Sequence, residues 1–155
     1  MNEIDLSYLK IKTFTEQNVL DYCQINSINY NNIINLNLNS NKLTDISGIK
    51  LFKNLIQLNL ESNKRLTDIS VLKYLKELSY LYISDTEIKD ISYIENLEYL
   101  QELWIKNLRL KSDQIQYIKS FKKIKELLCY KGFKDMFVIK QLNKNIRIEK
   151  NKVSN

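Results

Sequence analysis

Asp45, Asp68 and Asp90 each open an Asp-Ile-Ser tripeptide, at intervals of 23 and 22 residues. Carboxylates supply general acid–base and metal chemistry. These three recur singly in one local setting, so they read as turn or cap residues. Glu102 and Glu126 are the other pair that could approach each other, yet no nucleophile, metal-ligand set or phosphate loop accompanies them. The 155 residues include no histidine. That removes Ser-His-Asp and Cys-His nucleophile pairs, an imidazole base near neutral pH and every His-containing metal site. The expectation is a chain that is not an enzyme, with no cofactor and no metal.

Length and composition set the frame for these residues. The chain is long enough for one domain and too short to expect two. Its 44% hydrophobic content excludes a disordered chain, and 27% charged residues suit a soluble one. Apolar runs are too short to span a bilayer. The first residues interleave Glu3, Asp5, Lys10 and Lys12 with apolar ones, unlike a secretory leader. The cytoplasm is the default expectation, although an exported chain stripped of its leader would read the same.

The charge of +6 is unevenly spread. Residues 1–118 carry 13 basic and 15 acidic side chains, whereas 119–155 carry 11 and 3. A neutral body therefore ends in a basic segment.

Around each Asp-Ile-Ser, apolar residues recur in one unequal rhythm. The first unit runs Ile33, Leu36, Leu38, Leu43, Ile46, Ile49, Phe52. The second runs Leu55, Leu58, Leu60, Leu66, Ile69, Leu72, Leu75, and the third Leu78, Leu81, Ile83, Ile88, Ile91, Ile94, Leu97. A step of two gives way to a step of three, which predicts a short strand followed by a tight helical turn. One unit cannot bury its apolar edge alone, and stacked units make a continuous core.

The pattern Leu-x-x-Leu-x-Leu-x-x-Asn, at Ile33–Asn41 and Leu55–Asn63, resembles the leucine-rich repeat family, in the short class of about 22 residues that includes internalin-type and phosphatase-regulator repeats. The resemblance covers roughly residues 33–148. It implies an α/β solenoid with a curved parallel sheet on the concave face and short helices on the convex one. It also places Asn41 and Asn63 inside, their amides bonded to the backbone of adjacent turns. That ladder fades through Thr86, Leu108 and Gly132.

The fourth unit stretches through Leu100, Leu103, Ile105, Leu108, Leu110, Ile115, Ile118 and Phe121, with Ser112 and Asp113 as candidate caps of a true helix. The fifth starts at Ile124, Leu127 and Cys129, continues through Met136, Ile139 and Leu142, and leads to a last strand, Ile146–Ile148. Residues 1–32 are expected to form an N-terminal helical cap. Its helix spans roughly 13–25 and opens on a capping box of Thr13 and Glu16. Residues 33–148 form the solenoid and 149–155 a basic tail, all one structural domain. Cys23 and Cys129 then stand at least four strand spacings apart, about 19 Å, too far to bond within one chain.

Strand alternation predicts a grid of outward-facing residues. One column is Asn35, Gln57, Tyr80, Glu102, Glu126; the next is Asn37, Asn59, Tyr82, Trp104, Leu128; the last is Asn39, Glu61, Ser84, Lys106, Tyr130. The first two units offer a flat polar surface. The later ones gather Tyr80, Tyr82, Trp104, Leu128 and Tyr130, fringed by Glu102, Lys106 and Glu126, as a candidate partner-binding patch. The bland alternatives are that the aromatics pair across strands only to stabilise the sheet, or that the C-terminal segment folds over them.

The basic end, Lys119, Lys122, Lys123, Lys125, Lys131, Lys134, Lys140, Lys144 and Arg147, suits a solvated cap. Steering of an acidic partner and nucleic-acid binding are the sharper readings. The expected function is a protein–protein interaction module, an adaptor or regulatory subunit, that binds a protein partner on its concave face. Alternatives are an inhibitor or immunity-type protein that blocks an enzyme or toxin, and a nucleic-acid-associated protein using the basic end. No membrane partner is expected, and the exposed patch leaves self-association open.

Overall fold

The computed structural model describes residues 1–121 and 123–128. Six three-residue strands lie side by side in chain order in one parallel sheet: β1 (Glu3–Asp5), β2 (Asn35–Asn37), β3 (Gln57–Asn59), β4 (Tyr80–Tyr82), β5 (Glu102–Trp104) and β6 (Glu126–Leu128). Each strand pairs with the next at matching repeat positions, so Leu36, Leu58, Leu81, Leu103 and Leu127 form one inward row, all at most 1% exposed. Burying each such leucine contributes about 1.5–3 kcal/mol, and stacking is what makes the burial complete.

The strands are short because each unit turns sharply after them. Ser40, Ser62, Asp85 and Asn107 hold the same position in consecutive units, all with φ between 56° and 61°. On the far side, the chain returns through tight 3-10 turns at Ser47–Leu51, Ser70–Tyr74 and Ser92–Ile94. The three aspartates start these turns. Asp45, Asp68 and Asp90 accept from the backbone N–H of Ser47, Ser70 and Ser92 at 2.8, 2.7 and 2.8 Å. These carboxylates are turn residues, as the repeat predicts.

The asparagine ladder is present. Asn41 Nδ2 donates to the carbonyls of Leu6 and Leu38, at 2.8 and 2.9 Å, and its Oδ1 accepts from Ile11 N. Asn63 repeats the arrangement one unit later with Leu38, Leu60 and Leu43 N. Thr86 keeps one bond, to Ile83 O at 2.8 Å, and the next position is the buried Leu108.

The N-terminal segment departs from the sequence reading in two ways. Residues 1–32 hold a strand as well as a helix, since β1 is hydrogen-bonded into the sheet beside β2. Tyr8 then takes the place of Ser40 in its own turn, with φ 60°, and its N–H donates to Asn39 O as Ser40 N–H donates to Glu61 O. The helix, α1 (Glu16–Ile25), is capped by Thr15 and Asn18 rather than by Thr13 and Glu16. Thr13 is occupied elsewhere: residues 11–14 run parallel to 42–45, with Lys42 N donating to Ile11 O and Phe14 N to Asp45 O. The chain becomes free to turn only after Phe14. Helix α1 buries Val19 and Cys23 and packs against the turn Ser47–Leu51.

In the fourth unit, a 3-10 turn at Ser112–Gln114 runs into a short helix, α2 (Ile115–Lys119). Neither Ser112 nor Asp113 caps it through a side chain. Gln114 instead reaches back one unit and accepts from Ile91 N at 2.8 Å. Gly132, the expected helix through Met136 and Leu142, the strand Ile146–Ile148 and the tail 149–155 lie outside the described residues, as does Cys129. Cys23 is a buried free thiol.

Candidate functional site

The concave grid has the register expected of it. Tyr80, Glu102 and Glu126 are consecutive partners across β4, β5 and β6, and Tyr82 stands opposite Trp104. Within each strand the middle residue is buried and its neighbours are part-exposed, so Tyr80, Tyr82, Glu102 and Trp104 face away from the core. Helical segments contact one another along the opposite face. Lys106 is part-exposed on the same side, next to the buried Ser84, whose Oγ accepts from Lys106 N at 3.2 Å. Leu128 is placed opposite Trp104 by its backbone. Tyr130 lies outside the described residues.

Tyr82 and Trp104 are in direct contact, their ring centroids 4.5 Å apart and tilted by 53°. At this tilt the two rings avoid the disfavoured face-to-face sandwich. Trp104 Nε1 is buried and meets no acceptor at full hydrogen-bond geometry. The attraction it does exert falls on the Glu102 carboxylate.

That carboxylate is the electrostatic centre of the patch. Burial, and then the charge of Glu126, push the Glu102 pKa above the ordinary carboxylate value, outweighing the pull of Tyr82 and Trp104. Burial and then the charge of Glu102 push the Tyr82 phenol far above its usual range. On the neighbouring rim, burial also raises Glu61, with Ser84 and Lys106 partly offsetting it.

Two features escaped the sequence reading. The first is the fate of the polar half. Asp5, Asn37 and Asn59 stand in the same column as Tyr82 and Trp104, and each turns its Oδ1 onto a backbone N–H two residues ahead, at Ser7, Asn39 and Glu61. These side chains are occupied in closing their own turns. The Asx spacing that signals this is visible in sequence. Tyr82 and Trp104 cannot close such a turn, so their presence is not explained by local backbone needs. The second is the sign of the surface: with β1 included, the described concave positions carry Glu3, Asp5, Glu61, Glu102 and Glu126 against one lysine, Lys106.

Two shallow recesses lie away from this face. One is lined by Glu95, Leu97, Phe121 and Lys123. The other is lined by Thr44, Asp45, Asp68 and Val71, where both carboxylates are spent on turn bonds. Of the basic end, Lys123 stacks its ammonium over Tyr99, 4.1 Å from the ring centroid, and Lys125 Nζ donates to Gln101 Oε1 at 2.7 Å. Lys122, Lys131, Lys134, Lys140, Lys144 and Arg147 lie outside the described residues. No cluster of metal-ligating side chains is found among the described residues, and no helix among them is long and apolar enough to cross a membrane.

A parallel sheet in chain order, one tight turn per unit and an internal asparagine ladder together define a leucine-rich-repeat solenoid. Solved structures agree on the fold. The chain is similar to an internalin, InlF, of Listeria monocytogenes, with a TM-score of 0.66 and 23% identity over 80% of this chain and 36% of that one. It is similar to internalin C2 of the same organism, with a TM-score of 0.55 and 18% identity over 97% of this chain and 80% of that one. A leucine-rich-repeat protein of Leptospira interrogans matches with a TM-score of 0.55 and 23% identity, over 91% of this chain and 40% of that one. The chain thus spans well under half the length of the InlF and Leptospira proteins. No protein-family model matches the chain, and no curated protein sequence matches it.

Proposed function

We propose that the chain is a non-catalytic binding module, an adaptor or regulatory subunit, that docks a protein partner on its concave face through Tyr80, Tyr82, Glu102, Trp104, Lys106, Glu126, Leu128 and Tyr130. The observation that carries this reading is the Tyr82–Trp104 pair, in contact on the outward side of two neighbouring strands. It stands where the first units place turn-closing Asp5, Asn37 and Asn59. Large rings on a rigid sheet lose little entropy on docking, which is why Tyr and Trp dominate binding hot spots. Residues 1–32 serve in this reading as the N-terminal cover of the stack. The buried free thiol of Cys23 suits a reducing compartment, so the cytoplasm is the proposed location.

The test is affinity capture with the wild-type chain, followed by titration of the captured protein, once purified, against wild type, Trp104→Ala and Tyr82→Ala. Each substitution is expected to weaken binding by at least about 2 kcal/mol. Unchanged affinity in both, with the fold intact, rejects the concave site. The partner's own activity, with and without the chain, separates blocking from positioning.

A further inference from the structure

The geometry points to a basic protein partner that seats a lysine or arginine side chain over the Tyr82–Trp104 pair, with its charge on Glu102 and Glu126. This deepens the concave-face reading above and rests on it.

The argument begins with an arrangement that the fold does not need. Glu102 and Glu126 are direct partners in the register of β5 and β6, and Glu102 is half-buried beside two aromatic rings. Like charges facing each other across strands destabilise a sheet, and burial raises the cost of each charge. Both costs register in the upward pull on Glu102. The equivalent cells of earlier units hold Asn35 and Gln57, which avoid the penalty at no loss to the stack. A cation between the two carboxylates relieves both costs at once.

The rings supply the rest of the seat. A guanidinium or ammonium over an aromatic face gains about 0.5–2 kcal/mol, more as water is excluded. Trp104 stands two positions from Glu102 on the same side of the same strand, part-exposed and in contact with Tyr82, so a cation drawn to Glu102 arrives beside the ring pair. The wider charge pattern agrees: five carboxylates and one lysine occupy the described concave positions, whereas the other described residues carry 11 acidic and 15 basic side chains. The acidity is therefore local to this face. Nucleic acid is unsuited to this face, because its phosphates would meet those carboxylates.

Trp104 is the only tryptophan in the chain, so its fluorescence reports on this site alone. The probes are a short peptide alternating serine and arginine, its lysine counterpart and its citrulline counterpart, which keeps the shape of arginine without the charge. Saturable changes in Trp104 emission are expected with the two cationic peptides, weakened by added salt, and at least about tenfold weaker with citrulline. Glu102→Gln and Glu126→Gln, singly and together, are expected to reduce the cationic affinity stepwise while the folded spectrum persists. Equal binding of the citrulline peptide, undiminished binding by the doubly substituted chain, or no saturable change at concentrations on the order of millimolar overturns the inference. If the captured partner needs Trp104 and Tyr82 but is indifferent to both glutamates, the cation seat fails while the concave site stands. If it needs none of the four, both fail.

Discussion

Asn63 Nδ2 lies 3.0 Å from the carbonyl oxygen of Leu38, a whole turn of the solenoid earlier, and 2.8 Å from that of Leu60 in its own turn. With Leu43 N donating to its Oδ1 at 3.1 Å, one buried amide satisfies backbone groups of two units. The stack is therefore joined through polar bonds at this depth as well as through leucine packing.

Asn63→Leu would leave those backbone groups unpaired in the interior. Each unsatisfied buried group costs about 1–3 kcal/mol, so the expected loss is about 3 kcal/mol or more. Thr86→Ala, which removes a single bond to Ile83 O, is expected to cost about 1 kcal/mol. Urea denaturation of both variants checks the ratio, and equal losses contradict a ladder that weakens along the chain.

Gly48 carries a different constraint. Its N–H donates to Phe14 O at 2.8 Å, and a methyl group on its Cα would drive into the carbonyls of Thr15 and Phe14 at the entry to α1. Backbone cannot yield as a flexible side chain can. Gly48→Ala is expected to destabilise by about 1–3 kcal/mol and to speed amide exchange selectively in Glu16–Ile25. Exchange unchanged in that helix rejects the contact as the cause.

The pH dependence of Glu102 has a definite sign. Its folded pKa is raised above the ordinary value of 4.5, so the folded state holds this proton more tightly than the unfolded chain does. The stabilising contribution is present below 4.5 and is lost as pH rises through the raised value. Glu102→Gln is then expected to melt higher than the parent at neutral pH, with the gap closing in acid below 4.5. Glu61, raised by its own burial, contributes in the same direction and remains in both proteins, so it cancels in the comparison. A gap that widens in acid is the opposite result.

The repeat made the stacking and the outward columns legible, because a two-residue alternation fixes which of Tyr80, Leu81 and Tyr82 face the core once one of them is known. What stayed hidden has physical reasons. The strand Glu3–Asp5 is a single copy joined to β2 by a 29-residue connection, and its turn carries Tyr8 and Leu9 where the other units offer Ser40 and Asn41. Its apolar spacing, Ile4, Leu6, Ile11 and Phe14, does match Leu36, Leu38, Leu43 and Ile46 of the first unit, but at an offset of 32 residues, outside the 22–23-residue interval of the other copies. The helix start moved from Thr13 to Thr15 because a backbone bridge to Asp45 holds Thr13 extended, and tertiary pairing of that kind leaves no mark on local spacing. Part of the concave acidity was hidden with β1: Glu61, Glu102 and Glu126 are legible in the outward columns, whereas Glu3 and Asp5 join them only through that strand.

The Tyr82–Trp104 contact can be tested for a purely structural role without any partner. If these rings exist to hold the sheet together, removing one should cost what a core residue costs. Leu103, the fully buried residue between Glu102 and Trp104, sets that scale: Leu103→Ala is expected to lose about 2–5 kcal/mol. Rings that remain part-exposed on the outward face bury less on folding, so Trp104→Ala and Tyr82→Ala are each expected to cost well under half of that. A double-mutant cycle between them should return a coupling of about 0.5–1.5 kcal/mol, the ordinary worth of an aromatic pair. Trp104→Ala as damaging as Leu103→Ala would make the indole part of the core and remove the reason to assign it to a partner.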